Sequence, residues 1–189
     1  ESANARYDRA WALYRDGKFQ EAKGVLNDIA NVDGHRVGPK LLLGKIAIDE
    51  GNPALAVSYL EPLVDHSSCD YEVLIELGNA LYDCEEVNKS RNIYSKAREM
   101  DGKRHEAYHC LAYIESEQGS FESAATIAEV GLRNVDSFDG ALLLHKAAAL
   151  SRLELKEFNS AIKHLDLLIE RCPEYGIFYY YRSKCQLGL

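Results

Sequence analysis

The chain has 189 residues, of which 47% are hydrophobic, enough to bury a core as a globular protein. Twenty-two basic against thirty acidic residues leave a net charge of −8, which repels phosphate backbones and anionic lipid headgroups and so argues against nucleic-acid and membrane-surface partners. No apolar run approaches the ~20 residues needed to span a bilayer, and no signal peptide is visible.

Five cysteines, Cys69, Cys84, Cys110, Cys172 and Cys185, occur with no CxxC spacing. An odd number without that spacing indicates neither a disulfide framework nor a zinc ribbon. They read as free thiols, mostly small buried hydrophobes, in a reducing compartment, and the expected location is the cytoplasm.

Taken in order, the chain repeats itself every thirty-four residues. Residues 3–36 contain RAWALYRDGKFQEAKGVL, and residues 37–70 contain LLGKIAIDEGNPALAVSYL. Residues 71–104 give the clearest copy, YEVLIELGNALYDCEEVNKSRNIYSKAREMDGKR. Residues 105–138 contain CLAYIESEQGSFESAATIA; after an insertion at 139–141, residues 142–175 contain AAALSRLELKEFNSAIKHL. Residues 176–189, GIFYYYRSKCQLGL, match only the first half of a unit.

Each copy reads as two short amphipathic helices. In the third, Leu74, Leu77, Gly78 and Leu81 share one helical face, and Ser90, Ile93, Tyr94 and Ala97 share another. Helices this short are marginal alone in water, so each must bury its apolar face against a neighbour, and the neighbours are the other copies.

One slot in every first helix is small: Ala10, Gly44, Gly78, Ala112, Ala149, Ser183. One slot in every second helix is small too: Ala22, Ala56, Ser90, Ala124, Ala161. Small slots let two helices cross closely. Between the helices stand Gly17, Gly51 and Gly119, where a left-handed backbone ends a helix cheaply; Glu85 and Lys156 replace that glycine in units three and five. Between units, Asp33-Gly34, Ser67-Ser68, Asp101-Gly102, Asp136-Ser137 and Pro173 are stop and start signals, and Asp70 is placed to cap the helix beginning at Tyr71.

This pattern resembles the tetratricopeptide repeat (TPR), in its period, its small–small pairing and the helix signatures LIELGNALY and FESAATIAEVGL. The resemblance implies an all-α, right-handed α-solenoid of five tandem helix-turn-helix units plus a final helix, a single domain over 1–189. The closing proline of the repeat survives only as Pro173, Ala128 and Gly131 are unusually small for the fourth unit, and the 139–141 insertion is expected to perturb the superhelix there. The chain opens at Glu1 with no initiator Met, and its last helix is rich in aromatics where a solenoid end normally carries a polar cap, so it is expected to be a fragment of a longer protein.

Catalysis finds no foothold. There is no Gly-rich phosphate loop, no HExxH and no GxSxG, and no enzyme activity or cofactor is expected. His105 and His109 are four apart on one helix, but a closed metal site wants four ligands, so no metal is assigned.

The resemblance implies instead that first helices line a concave surface that binds a protein or peptide. Carried over residue by residue, its candidate positions are Tyr7, Trp11 and Tyr14 in unit one, Lys45 in unit two, and Asn79 and Tyr82 in unit three. Unit four supplies His109 and Tyr113, with Ser116 and Glu117, and unit five supplies Lys146, with Leu143 and Leu150. Tyr and Trp offer contact area with a polar tip, Asn79 could bond both peptide C=O and N–H, and the lysines could meet carboxylates. The same aromatics could equally fill inter-repeat core. The Lys, Asn and Arg clamp with which some family members hold chaperone C-termini is not present in these slots.

The expected function is therefore a protein-interaction scaffold or adaptor. Its alternatives are a targeting arm of a larger enzyme and a self-association module acting through the terminal helix; an RNA-reading helical repeat conflicts with the acidic balance.

Overall fold

The computed structural model describes residues 2–32, 36–65 and 69–188, with the side chains of 30–32 left aside. The unit-boundary signals at Asp33, Gly34, Ser67 and Ser68 lie outside the described residues. The described residues form helices joined by turns, with no strand among them: α1 (Ala3–Arg15), α2 (Phe19–Val32), α3 (Val37–Asp49), α4 (Pro53–Leu60), a 3-10 turn (Glu61–Leu63), α5 (Tyr71–Asp83), α6 (Val87–Met100), α7 (His105–Glu117), α8 (Phe121–Asn134), α9 (Phe138–Glu154), α10 (Phe158–Arg171) and α11 (Gly176–Gly188).

Local chemistry starts and stops these helices. Ser2, Asn52, Asp70 and Ser137 each accept a backbone N–H three residues on, from Ala5, Leu55, Val73 and Gly140, satisfying donors that the first turn leaves over. Pro53 opens α4, where its missing N–H costs nothing, whereas Pro62 cannot continue it and the chain tightens into the 3-10 turn.

Five first helices end in the same hydrogen-bonded turn. Gly17, Gly51 and Gly119 take φ of 72–73°, and Glu85 and Lys156 take 63° and 61°. In each, the left-handed residue donates back to a carbonyl three residues earlier and its successor to one five residues earlier, as in Gly17 to Tyr14 and Lys18 to Leu13. The turn is thus fixed by its hydrogen bonds, and two non-glycine residues are held in it.

The described residues fall into two compact units, Glu1–Ile93 and Tyr94–Leu189. In the first, the substantial contacts run α1 to α2, α2 to α3, α3 to α4 and α4 to α5, with first helices also touching in the pairs α1–α3 and α3–α5. One core centres on Leu26, Leu42 and Ile46, the next on Leu60, Val73 and Leu77. The second unit repeats the scheme, α7 through α11 in succession with α7 against α9. Its cores centre on Tyr108 and Leu144, and on Leu165, Leu168 and Phe178. Within each unit helices touch their sequence neighbours, and first helices also touch the next first helix, which is how hairpins stack in file.

The small slots sit at the crossings. Ala10, Gly44, Gly78, Ala112 and Ala149 are buried, and so are Ala22, Ala56, Ser90, Ala124 and Ala161; Ser183 on α11 is exposed. Ser90 satisfies its buried hydroxyl by donating to the Gly78 carbonyl at 2.8 Å, so its polarity is no burden. In the fourth repeat the small residues tighten the packing: a Cβ on Gly131 would stand 2.8 Å from Leu144 Cδ1 and 2.9 Å from Tyr108 Cγ. Residues 139–141 do not form a loop. They extend α9 to seventeen residues, and Gly140 admits the His105 ring at a distance no side chain there would tolerate.

Candidate interaction surface

The candidate residues divide between the two units, and the units treat them differently. In the first, Tyr7, Trp11 and Tyr14 follow one another along α1 and meet edge to face, with ring centres 6.4 and 5.5 Å apart; Tyr14 then stacks on Phe19. All three are half-buried against the core formed by Ala10, Leu42 and Ile46. Burial raises the Tyr7 phenol above its ordinary pKa. Tyr14 Oη donates to Asp49 Oδ2 at 2.7 Å, tying α1 to α3. Burial and that carboxylate push the Tyr14 phenol up to about 12.

Lys45 is engaged in the same way. Its ammonium donates to Glu72 Oε1 at 2.9 Å and Glu76 Oε1 at 2.5 Å, joining α3 to α5. Burial works to lower its pKa, but the two carboxylates outweigh it and the net direction is upward. Lys45 therefore starts out neutralised rather than offering a charge to a ligand. Asn79 and Tyr82 are half-buried on α5. The slot that Tyr7 occupies in α1 is filled in α3 and α5 by Leu41 and Ile75, both buried. Much of this unit's candidate surface is thus occupied by bonds between its own repeats.

In the second unit the same slots open into a cleft of about 400 Å³ between α7 and α9. From α7 come His109, Ala112, Tyr113, Ser116 and Glu117; from α9 come Leu143, Lys146, Ala147, Leu150 and Ser151. Tyr113 is 48% exposed and Leu143 40%. Lys146 is exposed and makes no ion pair among the described residues. Burial, reinforced by the neighbouring charges of His105 and Lys146, holds the His109 imidazole below its ordinary pKa, so it is a neutral donor–acceptor at pH 7. Aliphatic and aromatic area, one open cation, and a hydroxyl and a carboxylate on the same helix can hold an extended chain with an apolar and an acidic side chain.

Seven of these lining residues are sequence candidates: His109, Tyr113, Ser116, Glu117, Leu143, Lys146 and Leu150. Ala147 and Ser151 carry no binding signal in the sequence, and Ala112 reads there only as a packing slot; their smallness makes the space, a signal that periodicity alone does not distinguish from close helix crossing. Among the described residues no group of three or more His, Cys, Asp and Glu side chains is arranged to hold a metal. No helix among them is long and apolar enough to cross a membrane.

No family model matches the sequence, and no curated protein matches it. Solved structures do match over nearly its whole length. YrrB, a TPR protein with an unusual peptide-binding site, aligns at TM-score 0.75 with 14% identity, covering 96% of this chain and 92% of its own. MamA aligns at 0.76 with 20% identity and 94% coverage of both. The C-terminal part of a TPR repeat-containing protein from Cytophaga hutchinsonii aligns at 0.83 with 16% identity, over 96% of this chain and 70% of its own. Helix pairs in file, small residues at the crossings and these alignments agree: this chain has the tetratricopeptide-repeat fold.

Proposed function

We propose that this protein is a non-catalytic interaction scaffold that captures an extended peptide of a partner protein in the cleft between α7 and α9. The observation that carries this reading is that seven candidate positions from two different repeats line one cleft while leaving Tyr113, Leu143 and Lys146 accessible. Lys146 selects an acidic side chain or a terminal carboxylate, Tyr113 and Leu143 supply apolar contact, and His109 and Ser116 serve the peptide backbone. YrrB, with its peptide-binding site on the same fold, supports the assignment. We treat the five helix pairs as one interaction domain and, from the cysteine usage of the sequence, assign it to the cytoplasm.

The test is selection from a random peptide display library on the purified chain, followed by affinities for Tyr113→Ala and Lys146→Glu. A hot-spot contact is worth at least ~1 kcal/mol, a roughly fivefold weakening. Lys146→Glu should also turn the selection away from acidic peptides. Selected peptides that bind both variants as tightly as wild type would refute the cleft as the site.

One observation favours self-association as a second reading. α11 exposes Ile177, Tyr179 and Tyr180, the last 61% accessible. A second copy docking there would appear as concentration-dependent mass in light scattering, abolished by Tyr180→Lys. A monomer at every concentration excludes it.

A further inference from the structure

On another face of α9 from the cleft lies a polar seam that neither packing nor peptide capture requires. His145 of α9 and His164 of α10 meet with their Nδ1 atoms 2.9 Å apart. Their ring centres are 5.2 Å apart. That separation is close to the nitrogen–nitrogen distance plus two ring radii, so the nitrogens face each other nearly head-on. Such a contact holds one proton: one Nδ1–H donates and the other Nδ1 accepts. A metal ion, at ~2.0–2.1 Å from each nitrogen, does not fit on that line.

The surroundings sharpen the consequence. From α8, Glu129 stands 3.8 Å from His164 Nε2 and is itself gripped by Arg152 at 3.0 and 3.1 Å. Arg152 of α9 also bonds Glu122 of α8 and Glu157 in the turn before α10, and Lys163 lies beside His164 in α10. A first added proton is accommodated, with His164 Nδ1–H donating to His145 and Nε2–H turned toward Glu129. A second proton puts N–H on both facing nitrogens, and the contact becomes a repulsion between two cations.

α9 is the shared element. One face carries His145 and Arg152, another carries Leu143, Lys146 and Leu150 into the cleft. We infer that the His145–His164 contact is a proton-operated latch: with one proton between the rings α9 is held against α10 and the cleft keeps its shape, and with both rings charged α9 is released and the cleft changes. Burial first, then its charged partner, holds His145 below the ordinary histidine range, and burial does the same to His164 against the pull of Glu129. Both folded-state values are depressed, so the unfolded chain binds more protons as pH falls. Stability from this pair is present above the ordinary histidine pKa and is lost on acidification through the folded values. As a control on binding, the inference rests on the proposed role of the cleft.

The experiment is a pH titration of the isotopically labelled full chain by NMR from pH 8 to 5, following assigned imidazole nitrogens and the methyls of Leu143 and Leu150. It is repeated in His109→Gln, to remove the cleft's own imidazole. The two rings should titrate as a coupled pair, the second step below the ordinary histidine range, with the methyls shifting in that step. In His164→Gln, folding checked by helical circular dichroism, that methyl shift should vanish; His145→Gln serves if His164→Gln does not fold. Independent one-site curves near the ordinary value, or methyls indifferent to the second step, overturn the latch. This readout uses no peptide, so loss of the latch leaves peptide capture standing, and a cleft that captures nothing leaves the titration to be judged by itself.

Discussion

Substitution of Gly44 by Ala tests the packing rule on which the fold depends. An ideal Cβ at Gly44 stands 2.7 Å from Leu60 Cγ, 2.8 Å from Cδ2 and 3.0 Å from Cδ1. All three contacts are far tighter than the ~3.5–4.0 Å optimum for carbon pairs. Leu60 is wholly buried, so its side chain has little room to swing aside. Alanine brings about 1 kcal/mol of helix propensity, while overpacking of a dense core costs about 1–3 kcal/mol. With the branch carbon and both methyls struck at once, the cost falls toward the upper end and the net loss is about 1–2 kcal/mol. Gly24 in α2 supplies the control: a Cβ there meets nothing within 4 Å, so Gly24→Ala should gain up to about 1 kcal/mol. The two variants should therefore differ by about 1–3 kcal/mol in urea unfolding followed by helical circular dichroism, at unchanged slope. If Gly44→Ala is as stable as wild type, or matches Gly24→Ala, close crossing is not why the slot is small.

Two further outcomes follow from the same geometry. Glu85 and Lys156 occupy left-handed positions where glycine stands in the other turns, so Glu85→Gly and Lys156→Gly should each raise stability by about 0.5–1 kcal/mol, the relief of strain exceeding the entropy that glycine adds. A loss in either unfolding curve would mean that the replaced side chain contributes more than its backbone angle costs. The Tyr14 phenol, raised to about 12 in the fold, should deprotonate late in a spectroscopic titration, and Tyr14→Phe should remove that late component along with about 1 kcal/mol of hydrogen-bond stability. Because the folded value is the higher one, its stabilising effect is intact below the ordinary tyrosine pKa of about 10 and is lost as pH climbs through 12. A chain whose tyrosines all titrate near the ordinary value would contradict the Tyr14–Asp49 bond.

Most of the fold could be read from the sequence because each signal is local and recurs. The turn after a first helix is the clearest case: three glycines announce it, and Glu85 and Lys156 take the same φ because the flanking hydrogen bonds demand it. Two features were less legible. Nothing in the repeat pattern announced that α4 gives way at Pro62 to a 3-10 turn. Nor did it announce that the insertion at 139–141 is helical: it precedes the apolar face of α9 and lengthens its start. Adding residues ahead of a helical face leaves unchanged which side chains point inward, so Leu144, Ala148 and Ala149 remain buried.

The helix face of each candidate residue was legible and its state was not, and the two lysines show why. Lys45 and Lys146 both belong to the inward set of first-helix positions. Lys45 is neutralised by Glu72 and Glu76, which lie 27 and 31 residues ahead on the next first helix. Those separations are one repeat less a few residues, so whether this inward cation is available is decided by the carboxylates of the first helix beside it. Lys146 faces α7, where the nearby ionisable groups are His109, held neutral by burial, and Glu117 at the cleft's edge, and it stays exposed. The slot of Tyr7 behaves likewise, closed by Leu41 and Ile75 in one unit and held by polar His109 and Lys146 in the other. In a stacked fold a residue's repeat position dictates where its side chain points, and the first helix packed beside it dictates whether its charge is already paired. In this chain the adjacent first helices α7 and α9 keep an accessible lysine between them.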